Sequence, residues 1–351
     1  MSKVRRVKIG NCFIGDGEKI AVQSMTTAYT ADVEKTVEQI RDLTAHGCDI
    51  VRVAVPDEAS AKAIYDIKNS IDIPLVADIH FDYRLALTAM ERGVDKIRIN
   101  PGNIGGEDRA RAVADEARRR GIPIRIGVNG GSLEKHLLEK YGSATPEAMV
   151  ESAAEHVRIL EKYSFFDTVI SIKSSDVKRT IDAYRLARER FNYPLHLGVT
   201  EAGTYEGGLI KSAIGIGSLL ADGIGETIRV SLTDDPVREV DAARKILRAL
   251  GLLKGNICVV SCPTCARCRI NLIPIAQEVT RRLENIQGDL KVAVMGCAVN
   301  GPGEAKDADI GIAGGNGEAL LFKKGEIIGK IPEDRIVETL MEEIEKMKGT
   351  D

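Results

Sequence analysis

The sequence has no apolar run long enough to cross a membrane. Its most apolar long stretch, Leu209 to Ile224, is broken by Lys211, Asp222 and several glycines, short of the roughly 20 apolar residues a spanning helix needs. The segment Met1 to Gly10 alternates basic and apolar side chains and lacks the apolar core of a secretory signal, so a mature, cytoplasmic protein is expected. An excess of positive charge is also missing. With a formal net charge of −3 and a pI near 6.1, the chain has no global attraction for nucleic acid or for an anionic membrane, and any anion binding must come from a local basic cluster. No low-complexity segment interrupts it, and 44% hydrophobic with 29% charged residues is the balance of a folded globular protein. The seven cysteines are an odd number, and four of them crowd between Cys258 and Cys268. That distribution argues against a disulfide framework and for a metal site.

What is present is repetition. From Ile20 to about Gly251 a short apolar run, a polar or glycine turn and an amphipathic helical stretch recur. The eight apolar runs are Ile20 to Met25, Ile50 to Val55, Leu75 to Ile79, Lys96 to Asn100, Ile124 to Val128, Val169 to Lys173, Leu195 to Val199 and Ile228 to Leu232. Strands alternating with helices imply parallel pairing with right-handed crossovers, and eight units are the number that closes a (β/α)8 TIM barrel. A typical helix spans Asp32 to His46, with Val33, Val37, Ile40 and Leu43 at helical spacing and Gly47 as its stop. At 351 residues the chain exceeds what one core usually supports. The pattern changes after Leu253, which predicts a barrel domain over 1–253 and a small α/β domain over 254–351. In the second part we expect strands at Ile257 to Val260, Val292 to Met295 and Asp309 to Ala313, a helix from about Ile275 to Leu283, a hairpin over Leu320 to Ile331 and a charged helix from Glu333 to Lys348.

The predicted strands carry cations where a parallel barrel should be apolar. Arg52, Arg98, Arg125 and Arg229 each interrupt a run rich in Val and Ile, and Lys173 sits in Ser-Ile-Lys-Ser-Ser at the end of another. Side chains alternate faces along a strand, so Arg98 shares a face with Asn100, Arg125 with Asn129, Lys173 with Ser171, Arg229 with Ser231 and Asp78 with His80. An unpaired buried charge is costly, and two arrangements relieve it. Each cation can pair with a structural carboxylate, or the five can surround a multiply charged ligand. Arginine forks and lysine ammonium groups suit phosphate oxygens, and enzymes on this fold bind ligands at the C-terminal strand ends. A phosphorylated small molecule is therefore the expected ligand. Glu201, just after Gly198-Val199-Thr200 at a strand end, is either a proton donor or a helix N-cap. His196 in mid-strand reads as a packed histidine.

The run Ser261-Cys262-Pro263-Thr264-Cys265-Ala266-Arg267-Cys268 is a double CxxC, and Cys297 lies in a second, Gly/Pro-rich loop that also holds Glu304. Thiolates at this spacing suit tetrahedral zinc or an iron-sulfur cluster, and the fourth position is open to a non-thiolate ligand or to Cys268. Cys12, Cys48 and Cys258 read as core residues. Two other functional classes compete with a redox enzyme. One is a zinc-stabilised binding module; the other is a non-redox phosphate enzyme such as a barrel aldolase or pterin synthase, which leaves the cysteines without a role.

Together Cys262-Pro263-Thr264-Cys265 and Met295-Gly296-Cys297-Ala298-Val299-Asn300-Gly301-Pro302-Gly303-Glu304 resemble the bacterial 4-hydroxy-3-methylbut-2-enyl diphosphate synthase family of the methylerythritol phosphate route. The likeness runs from Val7 to Ile331 through Gln23-Ser24-Met25-Thr26-Thr27, Ala77-Asp78-Ile79-His80-Phe81, Ile97 to Asn103 and Val199 to Gly203. Where that family usually has Gly-Arg after its second cysteine, this chain reads Ala266-Arg267-Cys268. The resemblance implies a 4Fe-4S cluster held by Cys262, Cys265 and Cys297 with Glu304 on the fourth iron. It implies reductive ring opening and dehydration of 2-C-methyl-D-erythritol 2,4-cyclodiphosphate, isoprenoid precursor chemistry for which the electrons must come from a redox cofactor. Substrate contacts would fall to Arg52, His80, Arg98, Asn100, Arg125, Asn129, Ser171, Lys173 and Ser231, and proton donation to Glu201. Reduced ferredoxin or flavodoxin would supply the electrons, and the working unit would be a homodimer.

Overall fold

The computed structural model describes residues 3–255, 257–284, 286, 288–297 and 307–348. Its contacts divide the chain into two compact units, Met1–Leu252 and Leu253–Asp351.

The first unit opens with an antiparallel hairpin, β1 (Val7–Ile9) and β2 (Cys12–Ile14), which the sequence reading did not anticipate. It continues as β3 (Ala21–Met25), α1 (Val33–Ala45), β4 (Ile50–Ala54), α2 (Glu58–Lys68), β5 (Leu75–Asp78), α3 (Tyr83–Glu91), β6 (Lys96–Ile99) and α4 (Glu107–Arg120). Then come β7 (Ile124–Asn129), α5 (Lys135–Tyr141), α6 (Pro146–Lys162), β8 (Thr168–Lys173), α7 (Val177–Arg190), β9 (His196–Leu197), α8 (Tyr205–Ala221), β10 (Thr227–Ile228) and α9 (Pro236–Ala249). Aspartates set many helix starts. Asp32, Asp57, Asp82, Asp176 and Asp235 each accept a hydrogen bond from a backbone amide in the first turn, which satisfies donors the helix leaves free.

The eight barrel strands are parallel and run in the order β8-β7-β6-β5-β4-β3-β10-β9. A parallel bridge between Ile170 and Leu195, with the Ile170 amide 2.9 Å from the Pro194 carbonyl, brings β8 and β9 together and nearly closes the ring. This is the (β/α)8 barrel expected from the repeat, although the last two strands are only two residues long. The β1–β2 hairpin packs Val7, Ile9 and Ile14 against Ala21, Ile50, Val76 and Val169 at the strand starts. It floors the barrel with apolar side chains and leaves the opposite, C-terminal end for chemistry.

The second unit is a five-stranded sheet in the order β11 (Cys258–Ser261), β12 (Lys291–Met295), β13 (Ile310–Gly314), β14 (Glu318–Lys323) and β15 (Glu326–Pro332). The first three strands are parallel and the last two antiparallel. Helices α10 (Leu272–Leu283) and α11 (Ile336–Lys348) lay Ile275, Val279, Leu283, Leu340 and Ile344 on Val292, Val294, Ile310 and Ile312. Helix α10 starts three residues before the predicted Ile275, because Leu272 is also apolar and buried. One expectation fails here. Cys258 is exposed, not core, because β11 is an edge strand whose ends face solvent.

Candidate active site

The strand register gathers the cations. Asp78 is the register partner of Arg98, and Arg98 is the partner of Arg125, so three charged residues stand on neighbouring strands about 4.8 Å apart. Like charges directly opposite each other are unfavourable, and one carboxylate does most of the relief. Asp78 Oδ1 accepts from Arg98 Nη1 at 3.1 Å while its Oδ2 lies 3.6 Å from Arg52 Nε. Burial works against that carboxylate, yet Arg52, Arg98 and Arg125 hold its pKa down at about 2. Arg98 also donates through Nη2 to the Gly127 carbonyl at 3.2 Å. A side chain at 127 would displace the Arg98 guanidinium, since its Cβ would sit 2.5 Å from Arg98 Nε.

Arg229 has a second carboxylate, Glu239 of α9, at 3.4 Å. So the structural-carboxylate arrangement holds for three of the five cations and fails for two. Arg125 is 1% exposed, and its Nε and Nη1 have no hydrogen-bond partner among the described residues. No carboxylate among them pairs with Lys173 either. Burial and the surrounding arginines pull the pKa of Lys173 well below its ordinary value and that of Arg52 to about 10. Arginine does not give up its proton in proteins, so at Arg125 the same forces act as a demand for an anion.

A cavity of about 250 Å³ opens among these groups. Of the predicted contact residues, Arg52, His80, Arg98, Arg125, Asn129, Ser171, Lys173 and Ser231 line it, joined by Asp78, Thr200 and Arg229. Asn100 does not line it; its Oδ1 accepts from the Gly127 amide at 2.9 Å and braces β7. Glu201 is exposed beside the lining residue Thr200 and holds a left-handed backbone, φ +53°, a conformation uncommon outside glycine. The N-cap of α8 is Thr204, which removes the capping role considered for Glu201. His196 is fully buried as expected, with Nδ1 2.7 Å from Thr227 Oγ1.

Two charged groups escaped the sequence reading. Lys96 is completely buried, with Nζ 3.5 Å from Gln23 Oε1. Its position two residues before Arg98 was the signal, since both share a face. Glu239 comes from α9, the helix that follows the Arg229 strand, ten residues on, and no local pattern marks it.

In the second unit, Cys262 follows the last residue of β11, and Cys297 lies just past β12. The register pairs Ser261 with Val294, so both thiols leave the same edge of adjacent parallel strands. The Gly296 amide donates to Cys262 Sγ at 3.2 Å, as amides do to metal-bound thiolates. Cys265 is exposed, and hydrogen bonds from Arg267 lower its pKa, which favours the thiolate that ligates metal. Cys268 Sγ instead donates to the Ile270 carbonyl at 3.2 Å. Among the described residues no three His, Cys, Asp or Glu side chains converge on one ion. Glu304 and the loop from Asn300 to Gly303 lie outside the described residues. Three soft thiols on two neighbouring strand ends fit a multi-iron cluster in donor chemistry.

Comparisons with known proteins agree with this division. Residues 4–244 match the GcpE TIM-barrel domain and residues 258–346 the GcpE protein C-terminal domain. A protein of Caldanaerobacter subterraneus subsp. tengcongensis is 63% identical over 343 residues, covering 98% of this chain and 97% of that protein. One from Ruminiclostridium cellulolyticum is 60% identical over 346 residues, covering 99% and 98%. Both bear the name 4-hydroxy-3-methylbut-2-en-1-yl diphosphate synthase (flavodoxin). Among solved structures, dihydropteroate synthase from Xanthomonas albilineans in complex with 7,8-dihydropteroate superposes with a TM-score of 0.50 at 13% identity, over 71% of this chain and 99% of that one. That likeness concerns the barrel fold alone. With both of its domains matched, the chain belongs to the GcpE family.

Proposed function

We propose that this enzyme opens the ring of 2-C-methyl-D-erythritol 2,4-cyclodiphosphate and expels water to give 4-hydroxy-3-methylbut-2-enyl diphosphate. The observation that carries the reading is the charge of the barrel mouth: five cations, two carboxylates, and Arg125 and Lys173 without an anionic partner among the described residues. A cyclic diphosphate brings the negative oxygens that this arrangement needs, and guanidinium forks match them in geometry. Arg52, Arg98, Arg125 and Lys173 bind the diphosphate, Asn129, Ser171 and Ser231 orient it, and His80 adds a polar contact at the rim.

Ring opening with loss of water takes up two electrons and two protons, and no side chain supplies the electrons. Cys262, Cys265 and Cys297, with Glu304, would hold a 4Fe-4S cluster, which supplies one-electron reduction and an iron whose carboxylate ligand is exchangeable. Flavodoxin, which the relatives' names carry, fits as the electron donor, and the working unit is read as a cytoplasmic homodimer. Glu201 stands one residue beyond the cavity wall. From there it donates the proton that lets the neighbouring hydroxyl depart as water.

The test is an anaerobic preparation given the cyclodiphosphate and a reductant. A brown protein that releases 4-hydroxy-3-methylbut-2-enyl diphosphate is expected. A colourless protein with one zinc per chain, or turnover that needs no reductant, would sink the reading. Glu201→Gln is expected to retain iron and substrate binding while turnover drops at least about 100-fold, the low end for lost proton transfer. Unchanged turnover in that variant removes Glu201 from the mechanism.

A further inference from the structure

One buried histidine outside the cavity ties together the two loops that carry the anion site. The turn after β6, Pro101–Asn103, follows Asn100 directly, and the segment after β7 leads from Asn129 to Glu134. His156 on α6 is 3% exposed and reaches both. The Gly102 amide donates to its Nδ1 at 3.2 Å, and its Nε2 lies 2.9 Å from Glu134 Oε1. A backbone amide can only donate, so Nδ1 is the acceptor and the ring hydrogen sits on Nε2, where it donates to the carboxylate. Glu134 keeps that tautomer. Burial opposes its charge, but hydrogen bonds from His156, its own amide and Ser152 hold its pKa at about 2. The fit is tight: a Cβ at residue 102 would approach His156 Cε1 to 2.8 Å.

The consequence reaches the arginines. Asn100, two residues before Gly102, holds the Gly127 amide at 2.9 Å, and the Gly127 carbonyl receives Arg98 Nη2 at 3.2 Å. Arg98 is in turn paired with Asp78 at 3.1 Å. From the imidazole to the guanidinium, the chain of contacts is continuous.

We infer that His156, kept in one tautomer by Glu134, is a positioning residue that fixes the turn carrying Asn100 and so sets the affinity of the barrel mouth for diphosphate. The inference rests on the anion-site reading above. His156 touches no ligand in this scheme; it acts through Gly102, Asn100 and Gly127.

Two substitutions separate the ring's two bonds. In His156→Asn the amide oxygen replaces Nδ1 as acceptor for Gly102, while the link to Glu134 is lost. In His156→Gln the amide nitrogen replaces Nε2 as donor to Glu134, while the acceptor for Gly102 is lost. Binding of inorganic diphosphate to the full-length protein is measured by calorimetry. His156→Gln is expected to bind about tenfold more weakly, the scale of one lost hydrogen bond, and His156→Asn to stay within about threefold of the unaltered protein. With the cyclodiphosphate as substrate, the same order should appear in KM and not in kcat. A purely structural histidine would lower the melting temperature of both variants without ordering their affinities this way.

Gly102→Ala, which crowds the ring from the other side, is expected to weaken diphosphate binding as His156→Gln does. Equal affinities for the Asn and Gln variants, or a Gly102→Ala protein that binds normally, overturn the inference while leaving the anion site intact. Failure of the unaltered protein to bind diphosphate overturns the anion-site reading itself, and this inference with it.

Discussion

Replacing Cys297 by serine is expected to remove the iron and acid-labile sulfide from the anaerobically purified protein, together with its visible absorption, and to reduce turnover to background. The exchange is nearly isosteric, so the sheet should survive. Cys297 is mostly buried just beyond β12, and the packed face of that strand is built from Val292 and Val294. What changes is the donor. A thiol releases its proton readily enough to serve as a thiolate, whereas a serine hydroxyl does not, and cluster iron is held by thiolates. The Gly296 amide, aimed at Cys262 Sγ at 3.2 Å, would then face a sulfur with no cluster beside it. Cys268→Ser is the matching control. Its sulfur is engaged with the Ile270 carbonyl at 3.2 Å, so its iron content should equal that of the unaltered protein. Iron and sulfide counts with circular dichroism on both variants decide the point. Iron retained in Cys297→Ser but lost in Cys268→Ser would move the ligand from one cysteine to the other.

Much of this site is legible in the sequence, for a reason that is local. An arginine inside Val-Arg-Val-Ala-Val contradicts its surroundings, and period-2 alternation says which neighbours share its face. That logic places Arg52, Arg98, Arg125 and Lys173 in one lumen and applies equally to Lys96, which was overlooked inside a run already recognised as a strand. The cysteine spacing is legible in the same way, since CxxC is a statement about one turn of chain. What the sequence hides is pairing over distance. Even ten residues away, Glu239 is not announced by the strand around Arg229, because its approach depends on how α9 packs back on the barrel. Nothing near Gly102 announces His156, 54 positions later. The division of Asp78 between Arg52 and Arg98 depends on strand register, which a hydrophobic pattern sets only to within its period. Asn100 shows the limit from the other direction. Alternation puts it on the lumen face, yet its oxygen is spent on the Gly127 amide, a contact fixed by how deep each strand ends.

Asp78→Asn is expected to destabilise the ligand-free protein by about 3 kcal/mol, since removing one partner of a buried pair leaves the other charge uncompensated. Asp78 is 5% exposed and stands between Arg52 at 3.6 Å and Arg98 at 3.1 Å, and both arginine side chains are themselves largely buried, so water compensates poorly for the lost carboxylate. For a domain of this size the change corresponds to a melting temperature lower by about 6 °C. Added diphosphate should narrow that deficit, because a ligand that binds only the folded state stabilises it in proportion to the logarithm of its concentration over Kd. The variant, with more uncompensated positive charge, gains more from the anion. The pH dependence has a definite sign. The folded-state pKa of Asp78 is about 2 against an ordinary 3.8, so its contribution is complete above about pH 4 and disappears as the pH falls toward 2. Below that window the variant and the unaltered protein should unfold at similar temperatures; above it they should differ. Thermal unfolding across pH 2 to 7, with and without diphosphate, measures both effects. Equal stability at neutral pH would show that Arg52 and Arg98 are solvated well enough not to need Asp78, and with that the case for an anion-seeking pocket loses its energetic basis.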